Sequence, residues 1–183
     1  MHHVRLATLA DVAVLQKLIE QSARGLSVGY YTTSQIESSL RYVFGTDTRL
    51  IADGTYYVVE AEGRMVACGG WSRRRTLFGG DQMKQGEDPL LDPATDAARI
   101  RAFFVDPEWA RRGLGSLLIE RSIEAARAAG FLRMELIATL PGEPLYRAAG
   151  FVETERFSLR LPDGVEVPVV RMSRTIGSSE RRA

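Results

Sequence analysis

The segment from Arg99 to Ala129 constrains this chain more than any other. Arg99 to Val105 reads as a strand, Asp106-Pro107 stops it, and Arg111-Arg112 lead into Gly113-Leu114-Gly115-Ser116. Leu118, Ile119, Ile123 and Ala126 then recur at helical spacing. A helix start leaves its first N–H groups without intrahelical partners and carries a partial positive charge. Glycines allow an anion to approach that backbone closely. Two arginines beside a helix N-terminus oppose the helix dipole, and a bound anion accounts for them. The segment therefore points to a phosphate-holding loop.

Two other glycine loops compete for this reading. A dinucleotide fingerprint needs a third small residue where Leu118 stands, and its first glycine at the strand end, whereas seven residues separate Val105 from Gly113. Glu135 lies at the distance of a ribose-binding acid, but inside a strand pattern. A P-loop needs Lys-Ser/Thr after its glycine, and none follows here.

The rest of the chain supplies the frame. Val4 and Leu6 start a strand. Thr8 to Asp11 resembles a capping box, and Val12, Leu15, Ile19 and Ala23 form a helix ending near Gly25. After Tyr30-Tyr31, Ser34 and Glu37 read as a capping box for a second helix through Ile36, Leu40 and Val43, closed by Gly45. Residues 55–61 and 64–71 form a hairpin about Glu62-Gly63. Residues 74–98 hold breakers and no period, and so long a loop is usually functional or disordered. A strand over 132–138, a short helix around Tyr146, and a hairpin of 151–161 and 165–173 about Pro162-Asp163-Gly164 complete the pattern. The order β-α-α-β-β-β-α-β-α-β-β is an α+β fold with a mixed, mostly antiparallel sheet. Residues 1–176 read as one domain and 177–183 as a polar tail expected to fray.

Composition narrows the function classes. The 183 residues are 45% hydrophobic and 26% charged with net charge +1, which implies no nucleic-acid or membrane partner. No apolar run is long enough to span a bilayer, and no signal-peptide core is visible. The single Cys68 lies in an apolar run, fits a reducing compartment and reads as a small core residue, so a cytoplasmic location is expected. No histidine or cysteine cluster offers a metal site.

The motifs resemble the GCN5-related N-acetyltransferase (GNAT) family. That family's central motif is a strand ending in Val-x-Pro, then Gln/Arg-x-x-Gly-x-Gly/Ala opening a long helix; Val105-Asp106-Pro107 and the loop through Gly113 and Gly115 match it. Its second motif, a strand followed by a helix with Leu-Tyr and then Gly-Phe, matches Met134 to Ala138, Leu145-Tyr146 and Gly150-Phe151. Ala110 stands where the family usually has Gln or Arg, and the Asn common before Leu-Tyr is missing, since the chain has no asparagine. The resemblance covers most of residues 4–174 and is specific over 99–151.

The resemblance implies a GNAT fold of about seven strands with splayed central strands and about four helices. It implies acetyl-CoA as acyl donor, with the pantetheine arm along Phe103, Phe104 and Val105 and the pyrophosphate at Arg111, Arg112, Gly113, Leu114, Gly115 and Ser116. Tyr146 matches the family's tyrosine near the thioester sulfur, a general acid for the leaving thiolate. A phenol with an ordinary pKa of about 10 is protonated at neutral pH, and an alkaline loss of rate is expected as it ionises. The alternative for Tyr146 is packing. Where the family often has a central-strand Glu, this strand has Arg101. Glu60, Glu135, Asp81 and an ordered water remain as candidate bases. Tyr30, Tyr31 and Trp71 are candidates for the acceptor pocket, expected between the first two helices and the 74–98 loop. The implied activity is acetyl transfer to a small-molecule or protein amine; the alternative is an acyl-CoA-binding module without turnover. A homodimer is left open.

Overall fold

A computed structural model describes residues 2–177, so the tail beyond Gly177 lies outside the described residues. The strands are β1 (His2–Leu6), β2 (Tyr56–Ala61), β3 (Arg64–Ser72), β4 (Ala98–Val105), β5 (Arg133–Thr139), β6 (Val152–Arg160) and β7 (Glu166–Thr175). The helices are α1 (Val12–Leu26), α2 (Thr33–Tyr42), α3 (Thr48–Ala52), α4 (Leu114–Ala128) and α5 (Glu143–Ala148). One sheet runs in the order β1-β2-β3-β4-β5-β7-β6. Every neighbouring pair is antiparallel except β4 with β5.

Local chemistry explains most of these elements. Glu62 and Gly63 both take positive φ, 51° and 74°, which gives the β2–β3 turn the twist a tight hairpin needs. The Asp11 carboxylate accepts from the Thr8 N–H at 2.7 Å, so the expected cap forms, on a single 3₁₀ turn ahead of α1. The cap of α2 differs from expectation. Thr32 and Gln35 close the box, with Gln35 N–H on Thr32 Oγ1 at 3.2 Å and Thr32 N–H on Gln35 Oε1 at 2.9 Å. Gln35 also donates to the Glu166 carbonyl at 2.9 Å, and this tie to β7 selects the earlier start over Ser34-Glu37. The helix ends at Tyr42, before Gly45. The sequence pattern omits α3, whose five residues are too few to show a period. Its cap is Asp47, which accepts from the Arg49 and Leu50 N–H groups at 3.1 and 3.2 Å.

Both sheet faces are covered. Leu15, Leu18 and Ile19 of α1 and Leu50 of α3 pack on Tyr56, Val58 and Cys68. On the other face, Leu118, Ile119 and Ile123 of α4 pack on Val59, Val66, Ile100 and Leu136. A bulge interrupts β4 opposite Gly69, where the register shifts and Ala102 takes φ 55°. Strands β4 and β5 pair only at Ala98 with Met134 and Arg99 with Glu135. A bulge bends and over-twists its strand, and here it carries the end of β4 away from β5. Among the described residues no helix is long and apolar enough to cross a membrane.

Candidate active site

A cavity of about 620 Å³ opens where β4 and β5 part. Its first end is the start of α4. The first intrahelical bond runs from Leu117 N–H to Gly113 O, so the N–H groups of Leu114, Gly115 and Ser116 have no helical partner. All three residues line the cavity, with Gly113 and Arg111 beside them. Arg111 takes φ 65° and Gly113 φ 81°, and the double left-handed turn aims the helix start at the opening. Three free donors, a helix dipole and one guanidinium fit a pyrophosphate. Arg112 lies apart: its guanidinium stacks on the Trp109 ring at 4.6 Å and does not line the cavity. Gly115 has a packing reason for lacking a side chain, since a Cβ there would sit 2.7 Å from Leu145. The missing side chain lets α5 lean against the start of α4, which brings Tyr146 toward the same opening.

The β4 edge is half available. Asp106 N–H reaches Val66 O, and Phe104 pairs with Cys68, so alternation turns the N–H and C=O of Val105 to the open side. The Val105 N–H is already held by Ser22 Oγ of α1 at 3.0 Å. Of the three residues expected to offer backbone groups, Phe104 therefore turns its own to β3, Val105 turns its C=O to the open side, and Phe103 lies in the bulge opposite Gly69.

Tyr146 is 8% exposed and lies across the gap from β4, its ring edge-on to Phe103 and to Phe151, both at 6.1 Å between centroids. It lines the cavity, and among the described residues its hydroxyl has no hydrogen-bond partner. Desolvation alone pushes the phenol well above its ordinary value, so it keeps its proton across the whole neutral range.

Other expected site residues are elsewhere. Glu60 lies on β2 in an ion pair with Arg5 at 2.7 Å and does not reach the cavity. Glu135 sits at the closed end of the gap, clamped between Arg99 and Arg171, the latter at 2.7 Å. Asp81 pairs with Lys84 at 3.3 Å. Tyr31 is buried; its hydroxyl donates to the Pro168 carbonyl at 2.6 Å and accepts from Leu140 N–H at 2.9 Å, which ties the α1–α2 turn to β7 and to the chain after β5. Trp71 is core, edge-on to Phe131 at 6.0 Å. Tyr30, 51% exposed, lines the mouth. Arg74, in the run Arg73-Arg74-Arg75, forks onto Asp53 at 2.7 and 2.8 Å.

The second end of the cavity lies between the α1–α2 region and the long loop, and Phe44, Leu77 and Phe78 line it. Arg101, singled out in the sequence only as standing where the family often has Glu, finds its partners here. It is 3% exposed and donates to Asp47 at 2.8 Å, to the Thr76 carbonyl at 2.9 Å and to the Gly79 carbonyl at 2.6 Å. Burial pulls the guanidinium below its ordinary value and the Asp47 charge opposes that, so the arginine stays charged. Lys84 also pairs with Asp47. An unpaired charge on a strand that otherwise reads as core is the one sequence signal for this cluster.

Burial also pushes the Tyr31 phenol and the Cys68 thiol up to about 12. Both groups ionise lower in the unfolded chain, from 10.0 and 9.0, so their stabilising effect is complete below those values and falls as pH rises through the folded ones. Thermal unfolding is therefore expected at a lower midpoint at pH 10.5 than at pH 7.5. An unchanged midpoint would mean that these groups ionise freely in the fold.

The sheet thus opens at the β4–β5 pair, with the start of α4 at one end of the opening and the Tyr146 phenol inside it. The profile of the acetyltransferase (GNAT) family matches residues 18–151, and the chain belongs to that family, whose acyl donor is acetyl-CoA. Solved structures agree on the fold. A GCN5-related N-acetyltransferase from Rhodopseudomonas palustris is 20% identical, with 94% of each chain covered and a TM-score of 0.70. The PaiA N-acetyltransferase from Thermoplasma acidophilum, solved with coenzyme A, is 13% identical over 96% of this chain and 99% of its own, TM-score 0.65. An acetyltransferase from Salmonella typhimurium, solved with acetyl-CoA, is 17% identical over 100% and 96%, TM-score 0.63. No curated protein matches the sequence.

Proposed function

We propose that this protein transfers the acetyl group of acetyl-CoA to an amine by direct attack on the thioester, with Tyr146 as general acid. The carrying observation is the hydroxyl of the largely buried Tyr146, without a hydrogen-bond partner among the described residues, in the same cavity as the free N–H groups of α4. In this reading Leu114, Gly115 and Ser116 hold the pyrophosphate through backbone N–H groups, and Arg111 adds charge. Val105 offers the backbone edge along which the pantetheine arm lies. Fixing the thioester beside the amine makes the reaction nearly unimolecular.

The chemistry then balances with few groups. The neutral amine nitrogen bonds to the thioester carbon and the carbon–sulfur bond breaks. The Tyr146 hydroxyl gives its proton to the leaving sulfur, and the surplus proton on the new amide nitrogen returns to the phenolate through water. Among the described residues no carboxylate lines the cavity, which supports an amine that sheds its first proton to solvent. Incubation with acetyl-CoA and a panel of amines, read as free thiol together with the mass of the product, tests the proposal. Coenzyme A binding without thiol release from any amine would leave a binding module.

The cradle has its own test. Gly113→Val puts a branched side chain at φ 81°, where L residues are strained, and distorts the turn that presents the donors. Coenzyme A affinity by calorimetry is expected to fall at least about tenfold, or about 1.4 kcal/mol. Unchanged affinity in the folded variant would remove the pyrophosphate from this loop.

A further inference from the structure

The geometry points to the acceptor as a small monoamine with an apolar, ring-sized body, and not a polyamine or a lysine-bearing peptide. This rests on the acetyl-transfer reading above. The second end of the cavity is walled by Leu26, Tyr30, Phe44, Phe78, Ile137 and Val169. Three of these are aromatic and none carries a charge. Among the described residues the charged groups lining the whole cavity are Arg101 and Arg111, both cations. An ammonium entering this space meets no counter-ion, so the amine enters in its neutral form. A second ammonium on the same molecule would have to be desolvated unpaired, which disfavours its entry.

Arg101 does not turn the pocket into an anion site. Its charge is matched by Asp47 at 2.8 Å, and its other bonds go to the carbonyls of Thr76 and Gly79. Those two carbonyls bracket Leu77 and Phe78. The buried cation therefore holds the loop so that Phe78 forms a fixed wall, and Arg101 is a positioning residue for that wall. Gly80 N–H on the Val43 carbonyl at 2.8 Å fastens the same loop to the end of α2. A wall anchored at both ends selects by shape and polarity. The cavity of about 620 Å³ must also hold the coenzyme arm, which leaves space for a compact acceptor.

The experiment compares 2-phenylethylamine, hexylamine, spermidine and a lysine-containing peptide as acceptors for the full chain, read as kcat/KM. The two monoamines are expected to exceed spermidine and the peptide by about 10²-fold. Their kcat/KM is expected to rise tenfold per pH unit toward the amine's own pKa, with no break between pH 5 and 7. Spermidine or the peptide equalling the monoamines would overturn the inference while leaving acetyl transfer standing. Acetylation of no amine, with coenzyme A still binding, would instead end the acetyl-transfer reading and this inference with it. Phe78→Glu adds a counter-ion to the wall and is expected to raise spermidine kcat/KM at least tenfold while lowering that of 2-phenylethylamine. If the folded variant shows no such shift, Phe78 is not the selecting wall.

Discussion

Arg101→Leu is expected to lower the free energy of unfolding by about 3 to 5 kcal/mol, the range for removing one partner of a buried ion pair. The variant leaves Asp47, fully buried, facing an apolar side chain, and frees the carbonyls of Thr76 and Gly79. Lys84 and the two backbone donors of α3 still reach Asp47, which places the expected loss toward the lower end of that range. Denaturant unfolding measures it. The double variant Arg101→Leu with Asp47→Asn is expected to recover part of the loss, because it removes the stranded charge. A single-variant loss below about 1 kcal/mol would mean that Lys84 and the two backbone donors satisfy Asp47 without the arginine. Because the arginine also fixes Leu77 and Phe78, Arg101→Lys, which keeps a charge and loses the fork, is expected to raise KM for the amine more than it lowers kcat, with coenzyme A affinity near wild type.

Tyr146→Phe is expected to lower kcat by about 10²-fold, close to 2.7 kcal/mol of transition-state stabilisation. The ring stays, so its edge contacts with Phe103 and Phe151 survive. The dissociation constant for acetyl-CoA should hardly move, because the proton is given only as the carbon–sulfur bond breaks. The structure revises the pH behaviour read from the sequence. An exposed phenol would lose its proton near its ordinary value, whereas desolvation holds Tyr146 well above 10.0. Below about pH 10 no alkaline fall in kcat is therefore expected from this group in the wild type. Near-normal kcat in the Phe variant would show that the thiolate leaves unaided and that the tyrosine serves packing.

Much of the fold was legible because it rests on near neighbours. The β2–β3 turn follows from Glu62-Gly63, and the strand–loop–helix over 99–129 from its apolar periods and two glycines. Where the reading slipped, a distant contact decided. The start of α2 moved because Gln35 reaches Glu166, 131 residues away. Helix α3 was missed because its evidence is one cap and two buried side chains rather than a period.

The candidate site divides in the same way. The glycine loop before α4 and the short helix carrying Tyr146 were readable from local pattern, but that Arg112 turns away onto Trp109 was not. The fate of the carboxylates and aromatics was not. Glu60 is neutralised by Arg5, 55 residues away, and Tyr31 is fixed by Pro168, 137 residues away. Residue type and spacing say that a group can donate, accept or carry charge. They do not say which group from across the chain will occupy it.

The sequence by itself determined the class of fold and the glycine-led helix start after β4, because glycine conformations, caps and periods act over a few residues, while the role of Tyr146 came only through the family resemblance. Only the tertiary structure decided what the second end of the cavity is made of. There Arg101 and Asp47, 54 residues apart, meet out of water and satisfy each other, and the loop they hold leaves a pocket walled by apolar side chains. A buried charge must find its counter-charge wherever the folded chain brings one, and that choice belongs to the packing of the whole molecule.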